Sequence, residues 1–384
     1  MSLYERRGVS AKKEEVHSAT NKLDKGLYPN SFCKIFPDFL SNDDAYVNIM
    51  HADGAGTKSI LAYLYWKETG DLSVWKGIAH DAIVMNLDDL LCTGVYDNII
   101  FNSTIDRNKN LIPGDVLQEI ITGTQEFFDH MRSYGINIHY LGGETADVGD
   151  IVRTIAVNGT MTARWPKNKL ITNDKITAGD VIVGLASYGQ STYEPSYNSG
   201  IGSNGLTSAR HDILNKYYAE NFKESYDNNL SNEVVYIGDE RFKQGKPSPA
   251  NLLLSPTRTY APVIKQLLEN HLPEVHGMIH CSGGGQTKCL KYMPGQVRVI
   301  KDNMFDIPEV FKVIQEKSKS DNREMFEVFN MGCRIEIYTS EEFADKVIAV
   351  AKEFQIDAQI IGRIETSNSK ELLIRHNKEE LFYS

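Results

Sequence analysis

Short apolar runs of β character alternate along this chain with stretches whose hydrophobic residues recur at helical period, and that alternation restricts the fold most. Val47 to Met50 (VNIM) reads as a strand running into HADGAGTK, and SILAYLYWKE follows as a helix. Within Ile78 to Cys92, Ile83, Val84, Leu87, Leu90 and Leu91 fall at i, i+1, i+4, i+7 and i+8, one apolar stripe of a helix. A second amphipathic helix over 115–134 turns Val116, Leu117, Ile120, Ile121, Phe127, Phe128 and Met131 inward. It leads into the strand INIHYL (136–141), which ends at Gly142-Gly143. Further strands are expected at 151–161, 276–281, 333–339 and 358–365, and the run DVIVGLAS adds another. Helices are expected at 259–270, 307–317 and 341–354. This mixture makes the class α/β or α+β in two halves. The turn-rich stretch 162–180 is the boundary, giving domains at 1–168 and 169–384. Within a passage at 187–250, the polar stretch 219–250 reads as an insertion rather than core.

Composition narrows the class. With 384 residues, 41% hydrophobic and 24% charged, the chain is long enough for two or three buried cores. No apolar run approaches membrane-spanning length, and the start MSLYERRGVSAKKEEV lacks the apolar segment of a secretory signal. Cys33, Cys92, Cys281, Cys289 and Cys333 have no CxxC spacing, so the plain reading is reduced thiols in a cytoplasm. A net charge of −10 without a long basic block argues against nucleic acid as a partner, while a local patch can still bind a phosphorylated small molecule.

Several short motifs carry possible chemistry. Asp53-Gly54-Ala55-Gly56-Thr57-Lys58 lies between a strand and a helix, where Gly54 and Gly56 would let backbone N–H groups approach a phosphate. Thr57 and Lys58 add a hydroxyl and a cation, and Asp53 could hold Mg²⁺ there; the plain alternative is a glycine turn with a capping Thr. Asp88-Asp89 on the flank of its helix reads first as a solvated face, and becomes a cation site only if the helix packs beside the first loop. Gly142-Gly143-Glu144 suits backbone approach to a ligand with a metal-facing carboxylate, or an exposed tight turn. Ser203-Asn204-Gly205 is an N-cap or a contact for phosphate or ribose. Arg258, in Pro256-Thr257-Arg258-Thr259-Tyr260, opposes the helix dipole, which calls for a substrate phosphate or an ion-pair partner. His280 precedes Ser282-Gly283-Gly284-Gly285 and could act as a base or sit satisfied in the core.

In order and spacing these blocks resemble the phosphoribosylformylglycinamidine cyclo-ligase (aminoimidazole ribonucleotide synthetase) family over nearly the whole chain. Tyr4 to Val9 resembles the family's start, and Asp53 to Lys58 matches its DGxGTK. Asp88-Asp89-Leu90 matches NDL, Gly142 to Asp147 matches GGETAE, and Ser203 to Gly205 matches SNG. Leu254 to Tyr260 matches LxPTRxY, His280 to Gly285 matches HxTGGG, and Glu324 to Gly332 matches EMxxxFNxG. The resemblance implies a two-domain fold with a C-terminal α/β sandwich, and a homodimer whose N-terminal strands form a shared barrel. It also implies ATP and Mg²⁺ in a cleft between the halves. The implied reaction phosphorylates the amide oxygen of formylglycinamidine ribonucleotide and closes the ring. Carried onto this chain, Asp53, Asp89 and Glu144 would be metal ligands. Gly54, Gly56, Thr57, Lys58, Gly142, Gly143 and Glu144 would face ATP or phosphate. Ser203, Asn204, Gly205, Thr257, Arg258, Ser282, Gly283 and Gly284 would face substrate, and Lys58 and His280 would be catalytic.

The chain departs from the family's pattern at five places, one of them a region at 187–250 longer than usual. Residues 27–40 are poor in glycine, and Asn102 stands where an acid is common. Gly202 replaces the histidine of PHSNG, and Gly332-Cys333-Arg334-Ile335 replaces GVGM. Two rival readings follow: another ATP-using member of the superfamily, such as a thiamine monophosphate kinase or selenophosphate synthetase, or a catalytically silent nucleotide-binding homologue.

Overall fold

The computed structural model describes residues 3–9, 18–20, 22–245 and 248–384. A short helix, α1 (Leu3–Arg6), precedes a five-stranded sheet built from β1 (Ile35–Pro37), β2 (Tyr46–Gly54), β3 (Ile99–Arg107), β4 (Ile138–Asp147) and β5 (Ile155–Pro166), in the order β1-β2-β5-β3-β4. Only the β3–β4 pair is parallel. Helices α2 (Lys58–Thr69), α3 (Val74–Leu91) and α4 (Gly114–Ser133) belong to this half.

The second sheet has seven strands: β6 (Val181–Ala186), β7 (Gly277–His280), β8 (Val297–Lys301), β9 (Cys333–Thr339), β10 (Ala358–Thr366), β11 (Glu371–His376) and β12 (Glu379–Tyr383). Their order is β12-β11-β8-β10-β6-β9-β7. It carries α5 (Leu206–Ile213), α6 (Tyr217–Asn221), α7 (Pro249–Leu252), α8 (Ala261–His271), α9 (Glu309–Ser318), α10 (Asn322–Val328) and α11 (Glu341–Glu353). Every residue of β6, β7 and β9 is buried, as strands covered on both faces require.

Periodicity placed the amphipathic helices within a few residues, because their apolar stripes are wide. Strand ends were placed less well. β2 runs on through Asp53 and Gly54, and β4 continues through Gly142 to Asp147 instead of stopping at the glycines. At two of these positions glycine serves strand packing: a Cβ on Gly54 would lie 2.2 Å from Asn158 Oδ1, and one on Gly143 would lie 2.0 Å from Ser103 O.

The passage at 219–250, expected as an insertion rather than core, does contribute to the core. Val234, Val235, Tyr236 and Phe242 are buried, and Tyr218 makes edge contacts with Tyr236 and Phe242. Phe222 meets Tyr63 of α2 edge-on. Aromatic rings spaced among polar residues escape a hydropathy reading, yet each buries a large area. Residues 3–9 also leave their own half, since Arg7 pairs with Asp212 of α5 at 2.7 Å. The first sheet is open, with Met50, Ile100 and Leu141 exposed.

Candidate active site at the seam between the sheets

Helix α3 is the axle of the molecule. Asp81 and Asp88 stand seven residues apart, hence on one face, and both are buried. Asp81 Oδ1 accepts from Lys58 Nζ at 2.9 Å, Thr257 N at 2.7 Å and Thr257 Oγ1 at 2.6 Å. Asp88 Oδ1 accepts from Thr259 Oγ1 at 2.7 Å. A row of acids from the first half therefore holds the 256–260 segment of the second. The solvated-face reading of Asp88-Asp89 is corrected: both are buried, where α3 lies on the first sheet and the 256–260 segment and His280 of the second half close over it.

Asp89 joins two histidines. Its Oδ1 takes His280 Nδ1 at 2.5 Å and its Oδ2 takes His51 Nε2 at 3.0 Å. Asn86 donates its amide N–H groups to three backbone oxygens (Asp53, Ala82 and Gly159), which leaves its Oδ1 facing His51 Nδ1 at 3.2 Å. Both nitrogens of His51 thus face acceptors. Burial works against its charge, but hydrogen bonds to Asp89 and the charges of Asp89 and Asp53 outweigh it and raise its pKa. His280 goes the other way: burial, with Arg334 nearby, brings it down to about 4 despite Asp89. Burial would lift Asp89, yet its two histidine partners hold it well below the usual carboxylate range. The result is a charged His51–Asp89 pair beside a neutral His280 that keeps its proton on Nδ1 and presents the lone pair of Nε2.

Among the described residues, that Nε2 has no partner. Neither do Asp81 Oδ2, Asp88 Oδ2, Asn204 Oδ1 and Arg334 Nε, all buried. Buried polar atoms are nearly always satisfied, so this concentration at one seam fits a polar ligand that brings both donors and acceptors. Arg334 is 1% exposed; its Nη2 meets only Met85 Sδ, at 3.3 Å, and its Nη1 lies 1.9 Å from where a Cβ on Gly202 would sit. The guanidinium fills the space that Gly202 vacates.

The predicted residues divide into three groups. Thr57, Ser203, Asn204, Gly205, Thr257, Ser282, Gly283 and His280 gather at the seam: Thr57 Oγ1 meets Thr207 Oγ1 at 2.9 Å, and Ser203 Oγ meets Thr257 Oγ1 at 3.0 Å. A Cβ on Gly283 would lie in contact with Asn204 Nδ2 at 3.5 Å, whereas one on Gly56 would meet nothing within 4 Å, so the Gly56 backbone is open to a ligand. Gly56 and Gly284 have φ of 57° and 96°, which favours glycine. Thr57 makes no side-chain cap to α2, so its role as a helix cap is excluded.

Two cations are engaged elsewhere. Lys58 Nζ donates to Asp81, Gly202 O (3.1 Å) and Ser255 O (2.5 Å), which uses its three donors as an interdomain clamp rather than a phosphate contact. Arg258 is buried and spends its donors on Glu194, Ala186 O and Tyr188 O. It is a structural fork, not a substrate contact.

The metal trio does not meet. Asp53 pairs in register with Gly159, Gly159 with Ser103, and Ser103 with Gly143, which puts Asp53 three strands away from Gly142-Gly143-Glu144. That is roughly 14 Å at the usual strand spacing. Asp89 has both oxygens occupied by histidines. Among the described residues, no group of three His, Cys, Asp or Glu could hold one ion.

Sequence reasoning missed Asp81, His51 and Arg334. Asp81 sits one heptad before Asp88, a signal available in principle. Gly202 and Arg334 were visible only as separate departures, because their contact spans the fold.

The pattern of domains recurs in known proteins. Residues 42–165 match the N-terminal domain, and residues 177–375 the C-terminal domain, of AIR synthase related proteins. A Methanocaldococcus jannaschii protein named phosphoribosylformylglycinamidine cyclo-ligase is 32% identical over 319 residues, covering 83% of this chain and 78% of that one. A Bacillus thuringiensis protein of the same name is 30% identical over 321 residues, covering 83% and 80%. In fold, the chain is similar to thiamine monophosphate kinase from Aquifex aeolicus, with a TM-score of 0.53, 10% identity, and coverage of 96% and 95%. It is also similar to Thermotoga maritima PurL complexed with FGAR, with a TM-score of 0.53, 13% identity, and coverage of 99% and 53%. Two matched domains in sequence, and one seam between two sheets in space, make this chain a member of the AIR synthase related family, alongside the phosphoribosylformylglycinamidine cyclo-ligases.

Proposed function

We propose that the chain is an ATP-dependent cyclo-ligase that converts formylglycinamidine ribonucleotide to aminoimidazole ribonucleotide in purine biosynthesis, releasing ADP and phosphate. The observation that carries this reading is the neutral, buried His280, whose Nε2 has no partner among the described residues. Bound ATP would supply the phosphoryl group that turns an amide oxygen into a leaving group. The chain's own part is to orient the substrate and to move a proton. His280 Nε2 takes the proton from the attacking amidine-side nitrogen, with Asp89 fixing the tautomer and stabilising the imidazolium that forms. Arg334 offsets negative charge on the departing phosphate. Asp88 Oδ2 and Asn204 Oδ1 accept substrate N–H groups, while the open backbone at Gly56 admits phosphate oxygens. Mg²⁺ accompanying ATP would find Asp53 exposed on β2, near His51; no step is assigned to it, because the predicted ligand trio is dispersed.

A homodimer through the outer face of the first sheet belongs to the same reading, as does a cytoplasmic setting where the buried cysteines stay reduced. Met50 and Leu141 are 64% and 65% exposed on that face, an unusual display for a lone sheet. Sedimentation of the wild type against Met50→Glu tests the dimer, and a wild-type monomer would refute it.

The activity test is purified protein with ATP, Mg²⁺ and formylglycinamidine ribonucleotide, reading ring closure and ADP together. ADP formed only with another acceptor supports a kinase, and binding without ADP supports a silent homologue.

A further inference from the structure

Away from the seam, α1 docks on α5 and brings two arginines together in the interior. Arg7 and Arg210 are 3% and 4% exposed. Arg7 Nε donates to Val234 O at 3.0 Å, and its Nη1 donates to Ser208 Oγ and Asp212 Oδ1, both at 2.7 Å, and to Ser208 O at 3.2 Å. Its Nη2 has no acceptor, and neither does Arg210 Nε or Arg210 Nη1.

The remaining nitrogen of Arg210 is no better served. Its Nη2 lies 3.4 Å from His211 Nε2. His211 Nδ1 accepts from the backbone N–H of Tyr236 at 3.2 Å. Burial, with Arg210, Arg7 and Lys216 around it, holds this imidazole neutral. A neutral ring has one proton, and an accepting Nδ1 puts it on Nε2. A donor therefore faces a donor, and the Arg210 guanidinium has no acceptor on any of its three nitrogens among the described residues.

Counter-charge is short as well. The carboxylate in contact with the pair is Asp212, on Arg7, and burial pushes that carboxyl up to about 6 despite Arg7. Lys216 adds a third cation, but its ammonium is occupied by Asn232 O and Val235 O. A guanidinium so enclosed, without anion or acceptor, is among the costliest arrangements an interior can hold.

We propose that Arg7 and Arg210 form a second, buried anion site that takes a phosphate-type oxyanion, distinct from the seam and closed by the N-terminal segment. Two forked guanidinium groups with orphaned N–H donors match a multi-oxygen anion better than a carboxylate's two oxygens. The oxyanion would lock the Leu3–Val9 segment of one half onto α5 of the other, so its occupancy sets how firmly the chain's start is held. This does not depend on the proposed reaction, since the orphaned donors stand whatever the seam does.

The test is thermal unfolding and calorimetric titration of the full-length protein, dialysed free of phosphate and sulfate, with inorganic phosphate as probe. The wild type should show a phosphate-dependent rise in melting temperature of a few degrees. Arg210→Met removes the unpaired charge but keeps the volume. It should melt higher than wild type without phosphate and lose a phosphate-binding event that the wild type shows. Equal phosphate response in the two proteins, or a variant less stable than wild type in phosphate-free buffer, overturns the site. If Arg210→Met does not fold, Arg7→Lys keeps the charge without the fork and should weaken phosphate binding about tenfold or more; unchanged affinity overturns the proposal. AMP run in parallel separates the sources. A response to phosphate alone assigns the free ion, and a larger response to AMP, lost in Arg210→Met, assigns a nucleotide's phosphoryl group.

Discussion

His280 and Cys281 are neighbours on one chain, and they look into two kinds of interior. Cys281 Sγ donates to Glu336 Oε1 at 3.3 Å, in a network where every member is satisfied. Lys301 pairs with Glu336 and donates to Gln286 O and Oε1, Tyr338 OH donates to Glu336 Oε2 at 2.7 Å, and Gln286 Nε2 reaches Asn330 O and Cys333 O. His280 faces the seam, where Asp81, Asp88, Asn204 and Arg334 each leave an atom without a partner. Both regions bury ionisable groups at similar depth. One closes on itself and makes a sheet core; the other is left open, and the difference separates a structural network from a binding site.

The comparison breaks most easily at its two centres. His280→Ala should cut ring closure per folded molecule about 10²- to 10⁴-fold, the usual worth of a positioned base, on top of the stability lost with its Asp89 hydrogen bond. Glu336→Gln should lose stability alone. Removing one partner from a buried pair costs on the order of 3–5 kcal/mol, read by denaturant unfolding, while kcat/KM per folded molecule stays at the wild-type value. If His280→Ala keeps its turnover per folded molecule and Glu336→Gln abolishes it, the two regions have been assigned the wrong way round.

The sequence showed one side of this contrast more clearly than the other. Helices 114–133, 261–271 and 341–353 were legible because an amphipathic stripe is a local property. The glycine blocks were legible as special positions, although Gly54 and Gly143 turned out to let strands pass closely. Asp88-Asp89 could not be read correctly from α3 alone, since burial depends on what the second half lays over the helix. Lys58 and Arg258 looked like free cations because their partners, Asp81 and Glu194, lie 23 and 64 residues away in sequence. Local pattern reports what an element is; partnership across the chain decides what its side chains can do.

Gly202 and Arg334 sharpen the open side. Any side chain at 202 must displace the guanidinium, since its Cβ would lie 1.9 Å from Nη1. Gly202→Ala and Arg334→Met should therefore give the same defect, a loss of roughly 1.5–3 kcal/mol of interaction with an anionic group. That corresponds to a KM for the phosphorylated substrate raised about ten- to a hundredfold. Steady-state kinetics on both variants and on the double variant settles the point: the double should be no worse than either single, and additive losses would mean that the two residues act separately.

The smallest effect concerns Asp88, and it is a matter of pH. Burial lifts its carboxyl to about 7, with Thr259, Arg334 and Tyr260 N–H only partly opposing. An unfolded aspartate titrates near 3.8, so between these values the folded protein holds a proton that the unfolded chain has released. Stability from this group is full below about 3.8 and is lost as pH rises through 7. Between pH 6 and pH 8 the loss comes to about 1.4 kcal/mol, the worth of one pKa unit. Asp88→Asn keeps an acceptor for Thr259 and cannot ionise, so its stability should be flatter than wild type over that interval. A seam filled by ligand gives a second, independent reading. Substrate N–H groups donating to Asp88 Oδ2 favour the ionised carboxyl, so saturating substrate should shrink the wild-type dependence toward that of Asp88→Asn. A wild-type slope unaffected by substrate would place Asp88 with the closed network, outside the site.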